Sequence, residues 1–245
     1  MKAVTAAARF LRGLGHAIAG LFTIWLLFPK MTPTEREAEV HRWAAEMLRK
    51  VDIELIVYGT PCASGPMLLV ANHISWLDIL VMHASRYCRF VSKSDVKHWP
   101  IIGALATGAG TLYIERESRR DAMRVVHHMA ESLRAGDVVA IFPEGTTGDG
   151  VALLPFHANL LQAAISANAP VQPIALRFID PETGERSNAP SFIGDETLLG
   201  SMWRTLSAPR LAAVVRYGEP QTAQGRDRRT WSADLHAAVD ALRTL

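Results

Sequence analysis

Residues 67–82, "MLLVANHISWLDILVM", contain two periodicities joined by a polar turn. "MLLVA" is an unbroken apolar run of strand length, which predicts a strand buried on both faces. Beyond it Ile79, Leu80 and Met82 follow a helical pattern, and Ser75-Trp-Leu-Asp78 has the form of the capping box that starts a helix. A strand that hands over to a helix through a polar turn is the part of an α/β sheet where sites collect. Capping accounts for Ser75 and Asp78. It leaves Asn72 and His73 unexplained. Asp78, in the first helical turn, comes within reach of the His73 imidazole if the loop turns back, giving a base with a carboxylate that fixes its tautomer. A histidine that is merely satisfied at a loop edge shows the same local pattern.

The alternation continues in both directions. "ELIVY" precedes this stretch, separated from it by a loop with Gly59, Pro61, Gly65 and Pro66, and "RFVS" and "TLYIE" follow as short strands with a helix near "PIIGALA" between them. "SRRDAMRVVHHMAESLRAG" predicts a helix. Ser118 and Asp121 match a capping box, Val125, Met129 and Leu133 share a face, and Gly136 closes it. "VVAIF" is a buried strand, followed by helix "HANLLQAAISA", strand "VQPIALRF", helix "DETLLGSMWRTL", strand "RLAAVVRYG" and a last helix from about Trp231 to Leu245. The expected fold is α/β, a mixed and largely parallel sheet flanked by helices, with an amino-terminal helical membrane anchor. No fixed-period repeat or low-complexity linker divides the chain. Residues 1–50 are expected to form the anchor and an amphipathic helix, and 51–245 one α/β domain.

Composition narrows the class. With 49% apolar and 20% charged residues the 245-residue chain is a folded protein with an apolar lean. A net charge of +2 without a dense basic block makes nucleic acid a poor partner. Cys62 and Cys88 have neither metal-ligand spacing nor the density of a disulfide scaffold, which fits a reducing compartment. "GLGHAIAGLFTIWLLFP", residues 13–29, contains no Asp, Glu, Lys or Arg and follows Lys2, Arg9 and Arg12. As a helix it would be roughly 25 Å long, just short of a hydrocarbon core of ~30 Å. The expectation is a shallow or monotopic anchor on the cytoplasmic face of the inner or plasma membrane, with the amphipathic helix "TEREAEVHRWAAEMLRK" behind it. No small-residue cleavage pattern follows the apolar run.

Three further stretches carry polar residues at strand ends. "AIFPEGTTGDGVALLPF" leaves a strand at Phe142 and runs about thirteen residues, with Glu144, Gly145 and Thr146 at its start, before the next helix; loops of that length are usually functional or mobile. Its glycines do not match a Walker P-loop. "GTLYIERES" sets Arg116 just beyond a strand, placed for a phosphate or carboxylate, although an arginine there is also often only solvated. "APVQPIAL" has two prolines at the start of a strand, the pattern of an edge strand.

In this order "NHISWLD", "GTLYIER", "FPEGT" and "APVQPIAL" resemble the glycerophospholipid acyltransferase family, over roughly residues 54 to 217. The resemblance implies that His73 and Asp78 are the catalytic pair of an H-x-x-x-x-D motif, and that Arg116, Glu144, Gly145 and Thr146 serve the acceptor. It also implies a hydrophobic amino-terminal anchor. The chain departs from the family pattern at Thr147 and Gly148, where many members have Arg then Ser, and at His157, where Lys is frequent. Two positive charges near the acceptor site are therefore missing or weakened.

The expected chemistry is acyl transfer from acyl-CoA or acyl-carrier protein to a lysolipid hydroxyl, with His73 as general base, no cofactor and no metal. The first-ranked acceptor is 1-acyl-glycerol-3-phosphate, giving phosphatidic acid, with a lyso-ornithine lipid as the alternative. Imidazole is the side chain whose ordinary titration range spans neutral pH, and base catalysis of this kind contributes about 10²- to 10⁴-fold. No G-x-S-x-G elbow occurs in the chain, so direct transfer is simpler than an acyl-enzyme. A thioesterase and a non-catalytic lipid-binding protein are the rival readings. Acyl length and oligomeric state are left open.

Overall fold

The run "MLLVA" forms β2 (Met67–Ala71), with all five residues buried. Its alternate side chains feed two different cores. Met67, Leu69 and Ala71 join one hydrophobic cluster, whereas Leu68 and Val70 join another on the opposite face. The structure, a computed structural model, describes residues 2–114 and 119–245. Among them β1 (Glu54–Tyr58), β2, β3 (Arg89–Lys93), β4 (Leu112–Ile114), β5 (Val138–Ile141), β6 (Val171–Ile179) and β7 (Ala212–Tyr217) form one seven-stranded sheet. The order is β1-β7-β6-β2-β5-β3-β4, parallel throughout except for the antiparallel β6–β7 pair. This is the mixed, largely parallel sheet expected from the alternation of elements.

The helices cover both faces. Helices α1 (Lys2–Leu26), α2 (Pro33–Lys50), α3 (Leu77–Ser85) and α7 (Leu198–Ser207) contribute to the cluster on one side. On the other side lie α5 (Arg119–Arg134), α6 (Gln162–Ala167) and α8 (Arg228–Thr244), with Met129, Leu133, Ala163, Trp231 and Leu235 in the second cluster. Local chemistry sets several starts. Thr32 and Glu35 form a complete capping box for α2, with Pro33 in the first turn, and the Asp227 carboxylate accepts the Arg229 and Thr230 N–H groups to begin α8. The helix expected over "HANLLQAAISA" starts instead as a 3-10 turn, Ala158–Leu161, before α6.

The edge-strand reading of "APVQPIAL" is corrected, because β6 lies between β2 and β7. Pro173 lies where the β6–β7 ladder begins, and its carbonyl accepts the Gly218 N–H at 2.9 Å. Proline has no N–H to return to the Gly218 carbonyl. The buried side chain of Gln172 supplies the missing donor, reaching Gly218 O at 2.9 Å and Thr60 O at 2.8 Å.

Helix α1 packs lengthwise on the domain along one stripe. Ala6 is fully buried, and the Arg9 guanidinium holds the Leu206 and Ala208 carbonyls at the end of α7 together with the Asp52 carboxylate. Further along, His16 and Trp43 stack and exchange hydrogen bonds between side chain and backbone. A Cβ on Gly20 would lie 2.6 Å from the Trp43 ring nitrogen, so the approach of α1 and α2 requires glycine there. Near its end Ile24 packs on Gly108 of α4 (Ile102–Gly108). Val4, Leu11, Ile18, Phe22 and Trp25 form an exposed outer stripe. Ala6 of α1 and Ala44, Met47 and Leu48 of α2 share a core with the sheet.

Candidate active site

The polar residues after β2 and β5 meet because those strands are parallel neighbours, paired from Met67↔Val138 to Val70↔Ile141. The chain leaves β2 at Asn72, whose buried side chain acts as one more step of the ladder. Its Oδ1 accepts the Leu176 N–H at 2.7 Å, and its Nδ2 donates to Leu176 O at 3.1 Å. Leu176 is the last residue of "APVQPIAL", so β6 contributes by fixing the backbone just before His73.

His73 Nδ1 lies 2.8 Å from Asp78 Oδ2. The same oxygen accepts the backbone N–H groups of Ile74 at 2.6 Å and Ser75 at 2.9 Å, and Asp78 is fully buried. Its other oxygen, Oδ1, is buried with no hydrogen-bond partner among the described residues. A carboxylate at Nδ1 selects the tautomer with the proton there, leaving the Nε2 lone pair for a reactant. The imidazole lies flat on Phe142, with ring centroids 4.0 Å apart and planes within 6°, and its side chain keeps 19% exposure.

Capping and the contact to the His73 ring therefore share one residue. Of the expected capping box only half forms: Asp78 accepts the Ser75 N–H, but Ser75 Oγ accepts from Leu77 and not from Asp78. The carboxylate that begins α3 is also the one that orients His73.

Glu144 follows β5 and is 5% exposed. Its Oε1 accepts the His73 backbone N–H at 2.7 Å and its Oε2 the Leu154 N–H at 2.8 Å. Burial pushes its carboxyl above the ordinary carboxylate range, against the pull of those two N–H groups and of the charges on His73 and Arg243. The Gly148 N–H closes the loop onto His73 O at 2.8 Å. Gly145 has φ +74°, and a Cβ there would lie 2.9 Å from the His157 ring, so this turn demands glycine twice over.

Thr146 is exposed on the same turn. Thr147 donates its hydroxyl to the Phe192 carbonyl, and the Phe192 N–H binds Ile74 O at 3.0 Å. The connection between β6 and α7 is thereby pinned across the histidine loop. Thr147, one of the departures from the resembled family pattern, acts here as a loop fastener. Arg116 lies outside the described residues, as does Ser118 of the expected cap of α5. Of the expected site residues, then, the structure brings together His73, Asp78, Glu144, Gly145 and Thr146. It adds Asn72, whose polarity at a strand end was the visible signal, and Phe142, Phe192 and Arg243, which have no sequence signal. Among the described residues no group of three or more His, Cys, Asp or Glu side chains gathers as a metal centre.

Residues 39–177 match the acyltransferase family. The chain is 40% identical over 187 residues to the 1-acyl-sn-glycerol-3-phosphate acyltransferase of Neisseria meningitidis serogroup B, covering 76% of this chain and 72% of that one. It is 35% identical over 227 residues to the lyso-ornithine lipid O-acyltransferase of Pseudomonas aeruginosa, covering 92% and 86%. The crystal structure of the 1-acyl-sn-glycerophosphate acyltransferase PlsC from Thermotoga maritima superposes with a TM-score of 0.67 at 18% identity, covering 100% of this chain and 99% of that one, which establishes the common fold.

Proposed function

The chain belongs to the glycerophospholipid acyltransferase family, and from that premise we propose that it is a membrane-associated lysolipid O-acyltransferase in which His73 is the general base and Asp78 its orienter. One observation carries the mechanism: Asp78 occupies Nδ1 of an imidazole that still has access to solvent. Nε2 takes the proton from the acceptor hydroxyl as its oxygen attacks the thioester carbonyl. The tetrahedral intermediate collapses, the C–S bond breaks, and the imidazolium returns the proton to the thiolate. The products are an ester and a free thiol, and His73 is regenerated. Acyl-CoA or acyl-carrier protein is the proposed donor.

Arg116 and the turn from Glu144 to Thr146 are proposed to serve the acceptor headgroup, with Glu144 acting through the loop that it holds. The first-ranked acceptor is 1-acyl-glycerol-3-phosphate. A lyso-ornithine lipid is the second reading, favoured by two observations. The relative with that name aligns over 92% of this chain, and Thr147, a neutral side chain whose hydroxyl is taken up by Phe192 O, supplies no cation to a phosphate monoester.

Among the described residues one helix, within Ala3–Lys30, is long and apolar enough to cross a membrane. Because α1 is fastened to the domain from Ala6 to Ile24, we place it in the interface plane on the cytoplasmic face, its outer stripe in the lipid.

Purified protein incubated with labelled acyl donor and a panel of lysolipids tests the reading. A diacyl product that requires lysolipid supports it; release of free acid alone indicates a thioesterase, and no turnover a binding protein. Arg116→Ala should raise the acceptor KM by about one to two decades with little change for the donor. Equal turnover of neutral monoacylglycerol and lysophosphatidic acid, indifferent to this substitution, would refute the headgroup assignment.

A further inference from the structure

Arg243 stands in the last turn of the last helix, yet its side chain is only 9% exposed. Its Nη1 donates to Gly150 O at 3.1 Å and to Val151 O at 3.4 Å, while Nη2 pairs with Asp240. Both carbonyls belong to the loop that begins with Glu144 and Gly145. Two turns earlier on α8, the His236 ring meets Phe156 edge-on, with centroids 5.0 Å apart. The helix therefore touches the loop on both sides of Leu154, the residue whose N–H occupies the second oxygen of Glu144. Next to the first support the Asp149 carboxylate accepts the Val151 and Ala152 N–H groups, which tightens the turn. The loop is held to the rest of the molecule by Arg243, by the Gly148 N–H on His73 O, by the Thr147 hydroxyl on Phe192 O and, more weakly, by Arg186 Nη1 at 3.5 Å from Asp149 O.

We propose that Arg243 is a positioning residue for acyl transfer: with Nη1 on the Gly150 and Val151 carbonyls and Nη2 on Asp240 it fixes the loop through which Glu144 grips the His73 backbone and presents the acceptor turn. The inference rests on the acyltransferase reading above. A guanidinium suits the task because its planar fork serves two carbonyls and a carboxylate together, whereas an ammonium is a point charge that cannot reproduce the fork. The whole α8 face carrying Trp231 and Leu235 then has a second purpose, delivering its terminus to the catalytic end of the sheet.

The test measures lysolipid and donor kinetics of the full chain and of Arg243→Ala, Arg243→Lys and Asp240→Asn, each with its unfolding curve. Arg243→Ala should lower kcat/KM for the acceptor by roughly tenfold to a hundredfold, the equivalent of losing charge-assisted bonds, with donor KM nearly unchanged. Lys should recover part of the loss and Asp240→Asn should lose a few-fold. Millimolar guanidinium should restore Arg243→Ala several-fold where methylammonium does not, a rescue that a purely structural role would not show. Should Arg243→Ala unfold, Asp240→Asn and Lys still decide. Wild-type acceptor kinetics in a folded Arg243→Ala overturn the proposal, as does a loss that only tracks the folded fraction and ignores guanidinium. A wild-type protein that forms no diacyl product defeats the acyltransferase reading first, and this proposal with it.

Discussion

The Glu144 carboxylate accepts the backbone N–H of His73 at 2.7 Å, so the loop after β5 holds the main chain of the residue proposed as the general base. With its other oxygen on Leu154 N–H, Glu144 is a two-point clamp that needs two acceptors. Glutamine offers one acceptor and presents an N–H₂ donor to the other N–H. Glu144→Gln should therefore reduce kcat by about ten- to a hundredfold through a displaced His73, with a loss of about 1–3 kcal/mol in stability from the unmatched buried donor. Steady-state kinetics alongside urea unfolding check it; a variant with wild-type kcat would show that the clamp is dispensable.

His73 and Asp78 should separate chemistry from structure. His73 is partly exposed and stacks on Phe142 at the sheet's end, so His73→Ala is expected to abolish general base catalysis, about 10²- to 10⁴-fold, with little change in Tm. Asp78 is different, because the same oxygen also receives two backbone N–H groups. Asp78→Asn should cost both activity and about 1–3 kcal/mol of stability. Near-wild-type acyl transfer in either variant would refute the roles assigned to the pair.

Much of this was legible in the chain, for a physical reason. β2 and β5 are buried on both faces, so their apolar runs are unbroken and their ends are marked by the first polar residue, which is where Asn72, His73 and Glu144 lie. The His73–Asp78 contact was legible because the two residues are only five apart along the chain. Distance along the chain hides the rest. Arg243 meets a loop 93 residues earlier, and nothing local distinguishes it from a helix-terminal arginine facing solvent. Pro173 misled for a related reason. The rule that keeps proline at sheet edges concerns an unmet carbonyl, and the side chain of Gln172 meets it. The α1 stripe was equally hidden, since Arg9 appears from sequence as an interfacial charge and proves to be a buried clamp on the end of α7.

Buried His83 makes stability depend on pH. Burial lowers its pKa to about 4, helped by the charge of His41, and its Nδ1 is buried with no hydrogen-bond partner among the described residues. The unfolded chain binds a proton near pH 6.5, while the folded one resists until about pH 4. The unfolded state thus holds more protons in this window, so the contribution is fully present above pH 6.5 and is lost as pH falls toward 4. Between pH 7.5 and 5 the loss is about 2 kcal/mol. His83→Gln should remove most of that dependence, flattening the difference between denaturation midpoints at the two pH values. An unchanged pH dependence in the variant would place the acid sensitivity elsewhere.

The two faces of α1 call for opposite substitutions. Deleting residues 1–29 would remove Ala6 from the core and the Arg9 clamp from the end of α7, so membrane release and unfolding would be confounded. Point changes separate them. Leu11, Phe22 and Trp25 face outward and exposed, and burying side chains such as Leu or Phe is worth about 1.5–3 kcal/mol each. Replacing all three by serine should lower binding to lipid vesicles by at least about a hundredfold while leaving Tm nearly unchanged, because none of the three belongs to the core. Arg9→Ala should do the reverse. It empties a buried site of a guanidinium that serves Asp52 and the carbonyls of Leu206 and Ala208, so Tm falls while the outer stripe, and vesicle affinity below that Tm, persist. Vesicle flotation and thermal unfolding on both variants distinguish a helix lying in the interface from one that spans it. If the serine variant floats with vesicles as the wild type does, the outer stripe is not the lipid contact; if Arg9→Ala leaves Tm unmoved, α1 is not held to the domain in the way that confines it to the surface.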